Sequence, residues 1–485
     1  MNFRNGLLVI LTLSISIISL IGNTGCANIV PPLGGPRDSL PPKLITVIPR
    51  DYNTGYPLKV DRNGSKIVFT FDEYIDPKDV RTELIVSPVL KLEPIVDAHL
   101  KILQVRIKDT LEPNTTYSLD FGKAIRDVNE GNILKNFSYV FSTGKYIDSM
   151  SFSGTVTIAA TGKPDSSLIV ILHKNLDDSA VVKERPRYMT RLDSMGRFTF
   201  RHLAPGTYAA YTMKDEGGTR RYMSKGQLFG FADSPVVINN NTPQLALYAY
   251  TEKLDTKSTS KSGSAKSGAN AKSDKEKKED KRLVFQVNTS NGEFDVLDTF
   301  HINFANPLKE FDSTKIRFTD EKYNNINIRD YRFLRDTTNM HFSMLYAWPT
   351  DTKYHLILAK DFAQDSTGRQ LLKTDTLTIH TKKDIEYGEI RLRFTNLDLT
   401  HHPVLQFVVQ DAVKYAFPFN NSREFKRMLF TPGEYELRIL YDTNRNGIWD
   451  AGEFFGKHLQ PEKVTPIRKK ITVKANWDNE HDITL

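Results

Sequence analysis

The chain has 485 residues, 26% of them charged and 11% aromatic, with a formal net charge of +8 and one cysteine. That length is enough for several domains with their own cores, and a lone cysteine excludes a disulfide within the chain. Half of the charge excess lies in Glu252–Arg282, ten Lys/Arg against six Asp/Glu, so the remainder shows no basic face of the kind a nucleic-acid partner requires.

Arg4 precedes Leu7–Ile21, "LLVILTLSISIISLI", an apolar run of 15 residues. A membrane span needs about 20 residues, so the run suits the core of an export signal. "GNTGC" then leads to Cys26. A cysteine directly behind Gly25 at the end of such a run resembles the lipobox of bacterial lipoproteins. The resemblance implies removal of residues 1–25 and acylation of Cys26, with each buried lipid CH₂ contributing about 0.8 kcal/mol to membrane anchoring. The alternative is ordinary signal cleavage near Ala27, which leaves a free thiol. Residues 26–42, rich in Pro and Gly, cannot form helix or sheet. As an extended tether they reach roughly 40 Å.

From Lys43 the pattern becomes β. "KIVFTFDEYI" (Lys66–Ile75), "LKILQVRIKD" (Leu100–Asp109), "TTYSLDFG" (Thr115–Gly122) and "FSYVFSTG" (Phe137–Gly144) alternate at period 2 between turn residues. Short strands at this spacing predict an antiparallel sandwich over 43–146. No apolar pattern of period 3.6 is long enough for a substantial helix. A second β-sandwich is expected over 149–251, opening at "SFSGTVT" and centred on "RFTFRHLAPGTYAAYTMKDEGG" (Arg197–Gly218). Residues 252–282 hold one Leu and no aromatic residue and read as a disordered Lys/Ser-rich linker. Its span, on the order of 30 Å, would let the two halves engage separate surfaces.

The order of events then repeats. "TFHINFANPLKEFDSTKI" (Thr299–Ile316) mirrors "KIVFTFDEYIDPKDVRTEL" (Lys66–Leu84), and Thr350–Thr381 mirrors Leu111–Thr143. "FTPGEYELRILYD" (Phe430–Asp442) mirrors "LAPGTYAAYTMKD" (Leu203–Asp215), and "GEFFG" at 452–456 mirrors "GQLFG" at 226–230. The expected fold class is therefore all-β, with tandem antiparallel Ig-like β-sandwiches in the order A–B–linker–A′–B′, A′ covering 283–382 and B′ covering 383–485.

With "FTFDEYID", "LEPNTTYSLDFG" and "VFSTG", the A unit resembles the bacterial Ig-like domain of S-layer and surface proteins. Cys26-Ala-Asn followed by "GGPRD" and then that domain resembles Ig-like-domain lipoproteins of Gram-negative outer membranes. The B units resemble transthyretin-like or carboxypeptidase-regulatory-like sandwiches. These resemblances imply an architecture and an outer-membrane location, periplasmic or surface-facing, and no catalytic residues.

"DTNRNGIWDAGE" in B′ matches the spacing of a calcium loop. Asp442 is position 1, Asn444 is 3, Asn446 is 5, Gly447 is 6, Ile448 is 7, Asp450 is 9 and Glu453 is 12. Ca²⁺ takes 6–8 oxygens, supplied here by alternate side chains, the Ile448 carbonyl and a bidentate Glu453. Trp449 is placed to pin the loop to the core. The alternative is an Asx-rich turn without an ion. With three acidic ligands and Arg445 opposing them, the expected role is structural and the affinity weak, about 10⁻⁴–10⁻³ M. The matching B loop, Asp215–Gln227, has Gly217 where Asn444 stands and Gln227 where Glu453 stands, and is expected to hold no metal.

Other candidates read as ordinary surface. His401 and His402 are adjacent, and on a strand they point to opposite faces. Asp72, Glu73 and Asp76 fit a solvated acidic turn. No phosphate loop, nucleophile elbow or zinc spacing is found. The expectation is a non-enzymatic envelope scaffold that binds other envelope proteins, by strand addition at exposed sheet edges. The alternative is a glycan-binding or adhesin-type protein with exposed aromatic residues, for which Tyr346 and Trp348 are the place to look.

Overall fold

A computed structural model of the chain describes residues 37–59, 65–252 and 282–485. Cys26, the signal segment, the first part of the tether and most of the linker lie outside the described residues. The described chain forms two compact units. One comprises the residues up to Ile85 with Leu90–Asn114 and Ser118–Lys145. The other comprises Val86–Val89, Thr115–Tyr117 and everything from Tyr146 onward. Among the described residues, helix is confined to single turns such as Val80–Glu83 and Ala180–Lys183.

In A, one sheet orders the strands Leu44–Ile48, Ser65–Phe71, Ile102–Ile107 and Ile95–His99, all antiparallel. The alternation read from the sequence places Ile67, Phe69 and Phe71 inside opposite Leu103, Val105 and Ile107, all with 0% exposure. Phe69 meets Phe121 and Tyr139 edge-on, at 5.6 and 5.4 Å between ring centres. Such pairs add about 0.5–1.5 kcal/mol each beyond the area they bury.

A′ follows the same plan. Phe285–Val287, Phe300–Phe304, His341–Tyr346 and Tyr331–Arg335 pair in the order of the A sheet. The loop carrying Asp and Gly in each copy buries its aspartate. The Asp127 carboxylate accepts hydrogen bonds from the N–H groups of Glu130, Gly131 and Asn132 at 2.6–2.9 Å. Asp365 accepts from those of Thr367 and Arg369, both at 2.9 Å. Burial alone would raise both carboxyls, but these N–H groups hold both below the usual range.

B and B′ also share one strand order. In B, Arg197–Leu203, Met150–Ile158 and Leu245–Ala249 form one sheet. Tyr188–Arg191, Leu168–His173, Gly206–Lys214 and Phe229–Phe231 form the other. In B′ the counterparts are Glu424–Phe430, Gly388–Thr395 and Asp478–Thr484, facing Ala412–Pro418, Pro403–Val409, Gly433–Tyr441 and Lys463–Val473. The first and last strands of each copy run parallel, within otherwise antiparallel sheets. Strands this far apart in sequence are not bound by a hairpin to run antiparallel. The repeated Pro-Gly-x-Tyr has a shared cause. Tyr208 OH donates to Ala204 O at 3.1 Å, and Tyr435 OH donates to Thr431 O at 2.9 Å. Each tyrosine thus ties its strand back across the preceding turn.

Within the second unit the modules are not independent. Phe454 of B′ is 1% exposed and sits among Tyr211, Phe229 and Phe231 of B, with ring centres 5.7, 5.2 and 4.9 Å away. Lys163 of B bridges Asp411 at 2.7 Å and Glu436 at 3.1 Å, and Asp411 also pairs with the buried Arg438. Val464 N–H donates to Ala159 O at 3.1 Å, carrying backbone pairing across the seam. A′ joins B′ through Tyr387 OH, which accepts from Val296 N–H at 3.0 Å, and through Thr431, which donates to Asp295 at 3.0 Å. The expectation that the linker frees the two halves to engage separate surfaces is therefore corrected: B packs directly on B′. The reason is an aromatic face on B that no strand of B covers.

Phe454→Ala is expected to lower the stability of the second unit by about 3–5 kcal/mol, the usual cost of emptying a buried phenylalanine site. Urea denaturation checks this, and a loss below about 0.5 kcal/mol, the size of an ordinary surface change, would show that the seam is not held there.

Candidate functional site

The loop 442–462 connects two neighbouring antiparallel strands of B′, Gly433–Tyr441 and Lys463–Val473. It is a long hairpin connection on a sheet, with no helix on either side. Asp442, 2% exposed, lies at its base. Its carboxylate accepts from Gly447 N–H at 2.6 Å and from Asn446 N–H at 3.3 Å. Asn444 and Asn446 both donate their side-chain amides to one oxygen of Asp450, at 2.7 and 2.6 Å. Their own amide oxygens accept from Asn446 N–H and Ile448 N–H. Trp449 donates its indole N–H to Glu462 O at 2.8 Å and packs against Val404, Leu440 and Val464.

Five of the six expected ligand residues thus belong to one short network. The sixth does not join it. Glu453 is turned onto Lys457 at 2.7 Å, and that contact holds its carboxyl below the usual range. The backbone of Glu453 pairs with Leu459, which starts the segment that docks Phe454 on B. The acid that does close the loop is Glu462, which the spacing argument missed. It is 7% exposed and accepts from Thr443 N–H at 2.7 Å and Asp450 N–H at 3.0 Å, clasping both ends of the loop. Burial raises its carboxyl, and the nearby charges of Asp442 and Asp450 push the same way against those two N–H groups. A signal existed in the sequence: Glu462 is the lone acidic residue between Phe454 and Trp477.

The donor chemistry suits a hard cation. Asp442, Asp450 and Glu462 are carboxylates, and Asn444 and Asn446 need only turn their amides to present oxygen to it. The B loop closes differently. Asp215 accepts from Arg220 N–H at 3.1 Å. Gln227 accepts from Met223 N–H at 2.8 Å while donating to Lys214 O at 2.8 Å. One neutral amide there serves both sides of the turn. Among the described residues, no group of three or more His, Cys, Asp and Glu is arranged as a preformed metal site.

The remaining candidates separate. His401 lies in the turn Leu399–His401 and His402 follows at φ 49°, so neither is on a strand as expected. Asp398 caps that turn through Thr400 N–H at 2.9 Å and holds His401 at 2.9 Å. His402 meets Arg445 at 2.8 Å. Asp72 accepts from Lys43 N–H and Asp76 pairs with Lys78. Glu73 is raised, first by burial and then by Asp127 and Asp72. Trp348 is 9% exposed and packs on Phe294 and Tyr354, with Tyr346 half-buried beside it. Trp348 belongs to the A′ core, and Tyr346 packs against that core from a partly exposed position.

The sequence profile of the bacterial Ig-like domain family matches residues 38–143, the region described above as A. No curated protein matches the chain. Among solved structures, the chain is similar to the MG0-NIE-MG1 region of native alpha-2-macroglobulin from Escherichia coli, at 12% identity, 39% of this chain, 72% of that chain and TM-score 0.20. It is also similar to BcpA, the major pilin subunit of Bacillus cereus, at 9% identity, 70% of this chain, 99% of that chain and TM-score 0.17. For the S-layer protein rSbsC(31-844) the values are 12% identity, 91% and 54% coverage and TM-score 0.15. Scores of this size say nothing about what the chain does. The class is a tandem β-sandwich protein with a bacterial Ig-like domain near its N-terminal end. Among the described residues no helix is long and apolar enough to cross a membrane.

Glu462 yields a pH prediction. The folded chain holds its proton more tightly than the unfolded chain, so this group's contribution is full below the ordinary glutamate range and is lost as pH rises through the raised value. In metal-free buffer, Glu462→Gln should therefore gain on the parent chain as pH rises from about 4 to about 7. Urea midpoints across that range test it, and a difference independent of pH would count against the assignment.

Proposed function

We propose that the chain is a non-catalytic envelope lipoprotein, anchored in the outer membrane through Cys26 and serving as a scaffold or protein-binding subunit. The observation that carries this reading is the joining of B, A′ and B′ into one compact unit. An aromatic knob holds B on B′, with partly exposed ion pairs around it. Such a body presents fixed surfaces to partners, which suits holding more than turnover. The bacterial Ig-like domain supports the same reading. Affinity capture of the full chain from solubilised membranes tests it: stable co-purifying envelope proteins are expected, and bound glycan without protein would favour the adhesin-type alternative. Cys26→Ser should move the protein from the membrane to the soluble fraction. Unchanged fractionation would remove the lipid anchor from the account.

The 442–462 loop is proposed to hold a structural Ca²⁺ through Asp442, Asp450, Asn444, Asn446 and the Ile448 carbonyl. Either Glu453, released from Lys457, or Glu462 would complete the oxygen set. The ion would supply positive charge among three carboxylates that otherwise rely on N–H groups. Calorimetric titration of the full chain is expected to give a dissociation constant of about 10⁻⁴–10⁻³ M, lost in Asp442→Ala and kept in Asp215→Ala. Submicromolar binding would reject a purely structural role.

A further inference from the structure

A groove on B′ carries chemistry that neither the scaffold reading nor the metal loop uses. It is open, has a volume of about 1120 Å³, and lies between the 399–402 turn, the chain after strand Ala412–Pro418 and the first half of the loop. Pockets that take small ligands run to about 300–1,000 Å³, so a disaccharide has room here. Arg445 stands on its wall, its guanidinium held at 2.8 Å by His402 Nε2. Among the described residues Arg445 makes no ion pair, and its partner in that contact is a ring nitrogen rather than a carboxylate.

Among the described residues, none of the acids nearby pairs with the Arg445 guanidinium. Asp442, which lines the groove, is engaged by Gly447 and Asn446 N–H groups. Asp450 and Glu462, deeper in the loop, are engaged by the asparagine amides and by backbone N–H groups. On the opposite wall, Asn420 and Asn421 are exposed, and among the described residues their side chains make no hydrogen bond. Phe419, edge-on to Phe394 at 5.2 Å, gives this wall an apolar patch.

We propose that this groove binds a carboxylate-bearing sugar, with the acid on Arg445 and ring hydroxyls on Asn420 and Asn421. A guanidinium matches a carboxylate through two parallel hydrogen bonds. An asparagine amide offers a donor and an acceptor together, which is what a hydroxyl uses. The apolar patch at Phe419 suits the C–H face of a sugar ring. The assignment does not rest on acylation of Cys26 or on the scaffold reading.

The test is calorimetric titration of the full chain with a glucuronate-containing disaccharide, a neutral glucose disaccharide and a short peptide with a free C-terminal carboxylate. The acidic sugar should bind about tenfold or more tighter than the neutral one, the scale of one charge-assisted contact. Arg445→Gln should erase that preference without moving the melting temperature. Asn420→Ala combined with Asn421→Ala should weaken both sugars by about tenfold. Equal affinity for the two sugars, no effect of Arg445→Gln, no binding at millimolar sugar, or peptide binding as tight as the acidic sugar would each overturn the assignment.

Discussion

The packing of Phe454 on the outer face of B is the contact from which the rest of the second unit follows. The inner face of the B sheet is filled by its own core, Leu168, Val170 and Leu172 among others. The outer face carries Tyr211, Phe229 and Phe231 and would leave a large apolar patch in water if B stood alone. B′ covers it from a distant part of the sequence with a loop segment. Around this aromatic centre the seam is polar: Lys163 with Asp411 and Glu436 at one end, His458 with Asp178 at 2.6 Å at another. Surface ion pairs of this kind contribute little by themselves. They set the orientation in which the knob enters. His173, buried at the margin of this face and edge-on to Tyr211, is lowered to about 4 by burial and so stays neutral.

This arrangement gives the 442–462 loop two roles that pull on the same backbone. Its first half gathers two carboxylates and two asparagines in a small space. Its second half delivers Phe454, and Glu453 lies at the join. The pairing of Glu453 with Leu459 and Lys457 belongs to the docked half, which is why the residue at position 12 faces away from the residues at positions 1 to 9. Glu462 sits at the far end of the same segment and turns back to the start of the loop. Order in the acidic half and the fit of the aromatic half are therefore linked through a few residues of chain.

The two B copies show how one scaffold accommodates different closures. Both end the preceding strand in an aspartate that accepts backbone N–H groups, and both follow with Gly-x-x-Phe-Gly. In B, Gln227 satisfies both sides of the loop with one amide. In B′ acids occupy the centre, and the outer side of the loop carries the exposed Arg445, held by His402. A repeat whose strands are conserved in order and whose loops differ in charge concentrates new chemistry at the loops, where the sheets do not constrain side chains.

Much of the fold was legible in the chain itself. Alternation such as Ile67-Val68-Phe69-Thr70-Phe71 dictates a one-sided strand because successive side chains point to opposite faces, and the repeat of Pro-Gly-x-Tyr exposes the duplication. The composition of the loop, Asp442 to Glu453, was equally plain. What the sequence could not decide was which residues meet across long separations. Glu462 is nine residues from the end of the motif and becomes part of the loop only because two strands pair. Phe454 and Tyr211 meet only because B′ packs on B. Trp348, read from the sequence as part of an exposed platform, is core, because burial depends on which face another sheet covers. Local pattern sets the conformation of each segment, whereas contacts between distant segments depend on the three-dimensional closure of the whole.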